Sequence, residues 1–171
     1  MAGEVKGLSS LIAKLRAFDA AIENAAGQCV LRTAQKAAAD ARKLAPSNKH
    51  SQAGAGGAVS LRGSITHKVE RKVDGVVGIV ETNAPHAAFV EFGTGPVGAA
   101  NHGGISPNVS PSYTSRESWV YPYEGPEGTE FVTTSGQPAR PYLYPAAVQN
   151  KSTFEAEAKA AYLAAARKGG R

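Results

Sequence analysis

From Leu8 to Ala45 the chain carries no proline, and Leu8, Leu11, Ile12, Leu15, Phe18, Ile22, Ala25, Ala26 and Cys29 recur at steps of three and four residues. That spacing draws one apolar stripe along an α-helix. Ser9 or Ser10 can cap its start, and the alanine-rich AQKAAADARKLA carries it on until Pro46 stops it. Unbroken over residues 8 to 44, such a helix is about 55 Å long. Gly27 is the point where a kink or a break costs least. The rest of the chain has to pack against this rod, and with many of its apolar residues being alanine the core is expected to be modest.

Downstream, PSNKHSQAGAGGA (residues 46 to 58) has nothing to bury and reads as a flexible loop. SLRGSITHKVERKV and VVGIVETN then flank Asp74-Gly75, a dipeptide suited to a two-residue hairpin turn. That turn sets Val73 opposite Val76, Val69 opposite Val80 and Lys68 opposite Glu81. One face collects Ile65, Val69, Val73, Val76 and Val80 and should rest on the long helix. Lys68, Glu70, Lys72, Glu81, Val77 and Ile79 take the other. APHAAFVEF (84 to 92) predicts a short helix after Pro85 with Ala88, Phe89 and Phe92 facing inward. Residues 93 to 117 are rich in glycine and read as an extended loop. SWVYPYEGPEGTEFVTT predicts a second, aromatic hairpin around EGPEG, and Pro141 and Pro145 lead into a C-terminal helix from about Ala146 to Lys168, with Val148, Phe154, Ala158, Tyr162 and Ala165 on its apolar side. The expected fold class is α+β: a long N-terminal helix packed on a small antiparallel sheet of hairpins, with a long loop and a C-terminal helix. We expect a single domain over residues 1–171, with an extended arm at about 93–134.

Charge is segregated along the chain. Residues 1 to 72 hold twelve Lys or Arg against five acids, residues 73 to 139 one against seven, and residues 140 to 171 six against two. Copies of one chain can use such alternation to attract and orient one another. The lone Cys29 cannot form an internal disulfide, which fits a reducing cytoplasm. The N-terminus lacks signal-peptide organisation, and no apolar run approaches a membrane span, so no membrane partner is expected.

Gly93, Gly95 and Gly98 form a literal G-x-G-x-x-G inside VEFGTGPVG. A dinucleotide site needs those glycines to close a strand and open a helix. Here Pro96 interrupts, and AANHGGISPNVSP after Gly98 has no helical period, so a sharp exit into the loop is the expected role and no cofactor is implied. His50, His67, His86 and His102 show no i, i+4 pair and no Cys-x-x-Cys, and Cys29 sits on the apolar stripe; neither a metal centre nor a nucleophile follows. There is no G-x-S-x-G, and enzyme is the least favoured class. Nucleic-acid binding is the rival: Arg32, Lys36, Arg42, Lys43 and Lys49 thread the first helix and loop, and Arg62, Lys68, Arg71 and Lys72 crowd the first hairpin as candidate DNA-facing or electrostatic residues. No recognised nucleic-acid-binding motif accompanies them.

SLRGSI, NAPHAAFVEFGTG and QPARPYLYPA, in that order behind a long helix, resemble the gene-product-ten-like family of phage Hong Kong ninety-seven, head-tail connector, neck or tail-completion proteins of long-tailed phages. His86 stands where that family usually has tyrosine and Tyr142 where it has phenylalanine, and residues 96 to 136 are longer and less alike. The resemblance implies a non-enzymatic virion subunit without cofactors, assembled in the bacterial host cytoplasm and located in the neck. It implies a self-assembled ring of six or twelve copies between head and tail that completes the DNA channel. Its expected neighbours are connector or stopper, tail-terminator or tail-tube proteins, with passing double-stranded DNA inside. A basic nucleic-acid-binding accessory protein and a minor capsid or tail-terminator protein are the alternatives. In this light Glu91, Phe92, Gly93, Thr94, Gly95, Arg140 and Pro141 form a structural corner, with Glu91 bonding the glycine turn, pairing with Arg140 or facing water. Trp119, Tyr121, Tyr123 and Phe131 are candidate interface residues.

Overall fold

The computed structural model describes residues 7–47, 60–111 and 117–169. In chain order the elements are α1 (Leu8–Leu44), α2 (Leu61–Ser64), β1 (Ile65–Lys72), β2 (Gly75–Thr82), α3 (Ala87–Phe92), α4 (Gly95–Ala100), β3 (Trp119–Gly125), β4 (Gly128–Thr134) and α5 (Leu143–Gly169). The fold is α+β, with long helices at either end of the chain flanking two antiparallel two-stranded hairpins, β1–β2 and β3–β4. The loop expected at residues 46 to 58 lies, beyond Ser47, outside the described residues, as do Lys49 and His50.

α1 runs through Gly27 as one helix and stops two residues before Pro46. Its length follows from the absence of breakers, and Arg42 and Lys43 in the last turn complement the negative end of the helix dipole. The chain divides into two compact units: Met1–Lys36, His67–Ile79 and Gln149–Arg171 make one, Ala37–Thr66 and Val80–Val148 the other.

In the first unit, α1 and α5 meet through small side chains. Cys29, Ala34 and Ala165 are buried, and Ile22, Ala25 and Cys29 share an apolar groove of about 270 Å³ with Phe154, Ala158 and Tyr162. Lys36 Nζ lies 2.6 Å from a Glu157 carboxylate oxygen, with Arg32 at 4.0 Å; the Lys36 hydrogen bond holds the Glu157 carboxyl below its usual range. The hairpin rests on α1, as its face pattern predicts. A Cβ added to Gly78 would meet Val30 Cγ1 at 3.0 Å and Ala34 Cβ at 3.3 Å, and Arg71 reaches Glu23 of α1 at 3.8 Å.

The turn, however, is Val73-Asp74, one position earlier than the expected Asp74-Gly75. Gly75 takes φ +151° as the first residue of β2, and Val73 is wholly exposed at the tip. Moving a two-residue turn by one position shifts each partner by two, which preserves the alternation of faces. Ile65, Val69, Val76 and Val80 therefore keep their side. SLRGS is likewise not strand. Ser60 accepts from the Gly63 N–H at 3.4 Å and caps the single turn α2, whose Leu61 is buried.

The second unit holds the main core: Ala38, Ala41 and Ala45 from the end of α1, Leu61, Ile65, Ala84, Ala87, Tyr142 and Ala146, with Val80, Val90 and Leu143 packed against it. Alanines on the helix let the other elements approach closely, and Tyr142 and Ile65 supply the bulk. In α3 the inward residues are Ala87, Val90 and Glu91, whereas Ala88 and Phe89, expected inside, are exposed. A carboxylate thus occupies the face that a hydrophobicity pattern would assign to Phe89. The C-terminal helix begins at Leu143, three residues ahead of the expected start, with Pro145 in its first turn, where a missing N–H costs nothing. Val148 and Tyr162 are exposed on it.

Candidate functional site

The segment 93–117 is not loop throughout. α3 ends at Gly93, whose φ of +77° turns the chain sharply and whose N–H donates to Phe89 O at 3.0 Å. Thr94 is extended, and Gly95 opens the six-residue α4, with Pro96 in its first turn. GPVGAA has no helical period and weak helix formers, so the helix is held from outside. Val97 N–H donates to Ser135 O at 3.1 Å.

The partner is the strip 135–140, SGQPAR. Thr94 and Gln137 form an antiparallel bridge, with Thr94 N–H to Gln137 O at 2.9 Å and Gln137 N–H to Thr94 O at 3.2 Å. The Gln137 side-chain amide donates to Phe89 O at 3.0 Å. Farther along, Ala139 N–H donates to Asn101 O and Arg140 N–H to Val90 O, at 3.1 and 2.8 Å. Strip 135–140 therefore clasps the exit of α3 and the whole of α4.

Glu91 completes the clasp. Its side chain, in a residue only 4% exposed, accepts three backbone hydrogen bonds: Tyr142 and Leu143 N–H to Oε2 at 2.8 and 3.0 Å, and Tyr144 N–H to Oε1 at 3.1 Å. These are the otherwise unpaired donors at the start of α5, where the helix dipole favours negative charge. Glu91 thus caps a helix 52 positions downstream, rather than bonding the glycine turn, pairing with the Arg140 side chain or facing water. Arg140 joins the corner through its backbone, and Pro141 packs near Gly104, where an added Cβ would lie 3.3 Å from Pro141 Cγ. Phe92 is half-buried.

Tyr142 is fully buried, and its hydroxyl and the buried His86 Nε2 have no hydrogen-bond partner among the described residues. Burial, with the Glu91 carboxylate adding to it, pushes the Tyr142 hydroxyl up to about 12. A folded value above the unfolded one means that this group supports the fold below about pH 10 and loses that contribution as the pH climbs towards 12. Alkaline absorbance titration of the native protein is expected to finish later than that of the unfolded chain, and Tyr142→Phe is expected to remove the delayed step.

The β3–β4 hairpin turns at Pro126-Glu127 and pairs Trp119 with Thr134, Tyr121 with Val132, Pro122 with Phe131 and Tyr123 with Glu130. This register separates the aromatic residues. Trp119, Tyr121 and Tyr123 share one face, and Phe131 lies on the other with Val120 and Pro122. Trp119 is an anchor: its ring fills the space beside Gly95, where a Cβ would meet it at 2.6 Å. Phe131, 75% exposed, projects freely.

The basic residues of the first hairpin are mostly engaged within the chain. Arg62 Nε donates to Ala45 O at 2.7 Å, closing the end of α1, Lys68 lies 3.5 Å from Glu70, and Arg71 faces Glu23; Lys72 is exposed at the strand end. Arg42 donates to Ile65 O, and Lys43 pairs with Asp40. Among the described residues no group of three or more His, Cys, Asp or Glu is placed to hold a metal ion, and no helix is long and apolar enough to cross a membrane. The literal G-x-G-x-x-G follows a helix instead of a strand and opens only α4, so it lacks the setting of a dinucleotide site.

Residues 9–93, roughly half of the chain, match the family model described as "Bacteriophage HK97-gp10, putative tail-component". The chain is thus similar to that family over α1, the first hairpin and the α3 corner, and the match stops at Gly93, where the clasped excursion begins. No curated protein and no solved structure matches the chain.

Proposed function

We propose that the protein is a structural subunit of a phage virion neck, assembling into a ring of six or twelve copies that joins the head to the tail and completes the DNA channel. The observation that carries this reading is the family match over α1, the first hairpin and the α3 corner. The structure supports it physically. A carboxylate and a strip of backbone hydrogen bonds are spent on fixing one corner, and exposed apolar side chains include a run at the start of α1 and several on the β3–β4 hairpin. Such a division of labour suits a part that docks and does not turn over substrate. Its neighbours are connector or stopper proteins on one side and tail-terminator or tail-tube proteins on the other. A role as a free DNA-binding accessory protein is less well supported, because Arg62 is bound to the Ala45 carbonyl and no recognised nucleic-acid-binding motif accompanies the other basic residues.

Native mass spectrometry over a range of concentration and salt tests the ring. A discrete six- or twelve-copy species is the expected outcome, and a monomer under every condition overturns self-assembly. Fluorescence titration with a short DNA duplex is expected to show weak binding that vanishes with salt; tight binding by the monomer would instead favour the accessory-protein reading.

A further inference from the structure

The apolar stripe of α1 is covered over only part of its length. From Ala21 onward it faces α5, whose end comes level with Ala21 through Ala165 and Lys168. Before that point, Leu8, Leu11, Ile12 and Leu15 stand 41 to 55% exposed at i, i+3, i+4 and i+7, and nothing among the described residues covers them. At 100° per residue Lys14 and Arg16 border this stripe on opposite sides, and they are the only charged residues between Leu8 and Phe18. The first three turns of α1 are therefore an apolar face edged with positive charge.

The β3–β4 hairpin carries the opposite character. Val120, Pro122 and Phe131 make an exposed apolar face. Glu124, Glu127 and Glu130 surround the turn, with no Lys or Arg between Trp119 and Thr134. Both surfaces are narrow, extended and apolar at the centre, with charges of opposite sign at their margins.

The geometry points to a contact between copies in which the acidic β3–β4 hairpin of one subunit seats its Val120–Pro122–Phe131 face on the Leu8–Leu15 stripe of the next, with Glu124 on that face and Glu127 at the turn meeting Lys14 and Arg16. The occupant of the α1 stripe is thus a second copy of this chain. The inference rests on the ring reading and specifies it. Each copy offers one of each surface, so the contact is heterologous and repeats around an axis, as a ring requires. Burial of the two apolar faces supplies the attraction, and the charges fix which surface meets which.

Charge reversal tests it. Glu124→Lys/Glu127→Lys and Lys14→Glu/Arg16→Glu alter only exposed side chains, so circular dichroism and thermal melting should match the parent chain. By native mass spectrometry and sedimentation, each variant alone is expected to need at least tenfold more protein to assemble. Mixing the two variants in equal amounts is expected to restore assembly, because every hairpin in an alternating ring then faces an arm of opposite charge.

If the parent chain assembles and neither variant is impaired, the stripe has another occupant; the inference falls while the ring reading stands. Impairment of both without rescue on mixing would show that the two surfaces serve assembly but do not meet, which also overturns it. A parent chain that stays monomeric removes the ring reading itself.

Discussion

Glu91→Ala is expected to lower the unfolding free energy by about 3 kcal/mol, because three charge-assisted hydrogen bonds vanish and buried N–H groups at the start of α5 lose their acceptor. In a chain of this size that corresponds to a fall of about 6–12 °C in Tm. Glu91→Gln retains the shape and one acceptor oxygen. Placed at Oε2, that oxygen keeps the bonds from Tyr142 and Leu143 and turns an amide N–H₂ towards the Tyr144 N–H, so a loss of about 1–2 kcal/mol is expected. Urea unfolding of the three proteins checks the ranking. Equal stability of all three would mean that the carboxylate does not hold the corner.

Gly136→Ala and Gly93→Ala are expected to be at least as damaging. Gly136 has φ +91°, and a Cβ there would overlap the Thr94 carbonyl. Gly93 has φ +77°, and its Cβ would lie 2.7 Å from Ala139 N and 2.8 Å from Gln137 O. Both carry the left-handed backbone cost of about 1–2 kcal/mol, and both clash with main chain that cannot rotate out of the way. Each is expected to destabilise by more than about 3 kcal/mol, seen as a fall in the urea midpoint. Gly103→Ala, at an exposed position with nothing within 4 Å, is the control and should change little.

Much of this architecture can be read from short-range pattern. α1 is legible because its apolar period persists over many turns and Pro46 ends it, and each hairpin is marked by a glycine-bearing turn, although the first turn falls one residue early. What escapes the pattern depends on distant partners. Glu91 is buried because α5 presents three N–H groups to it, and no local signal in AAFVEF distinguishes that carboxylate from a solvated one. α4 forms because strip 135–140 holds it, against the weak propensity of GPVGAA. Phe89, the most hydrophobic choice for the inner face of α3, lies outside for the same reason. The order of QPARPY behind EFGTG hints that the two segments meet, and only the coordinates show that they do so through backbone and a capping carboxylate.

The chain leaves the base of its fold at Thr94 and returns at Gln137, and these two residues are hydrogen-bonded side by side. An excursion that starts and ends at one point can change length without disturbing what lies beneath it, since closing a loop twice as long costs only about 0.6 kcal/mol more. Residues 95 to 136 are in this sense an exchangeable cassette. The reach, charge or aromatic content of the β3–β4 hairpin can change while the helix, the first hairpin and the Glu91 cap stay as they are.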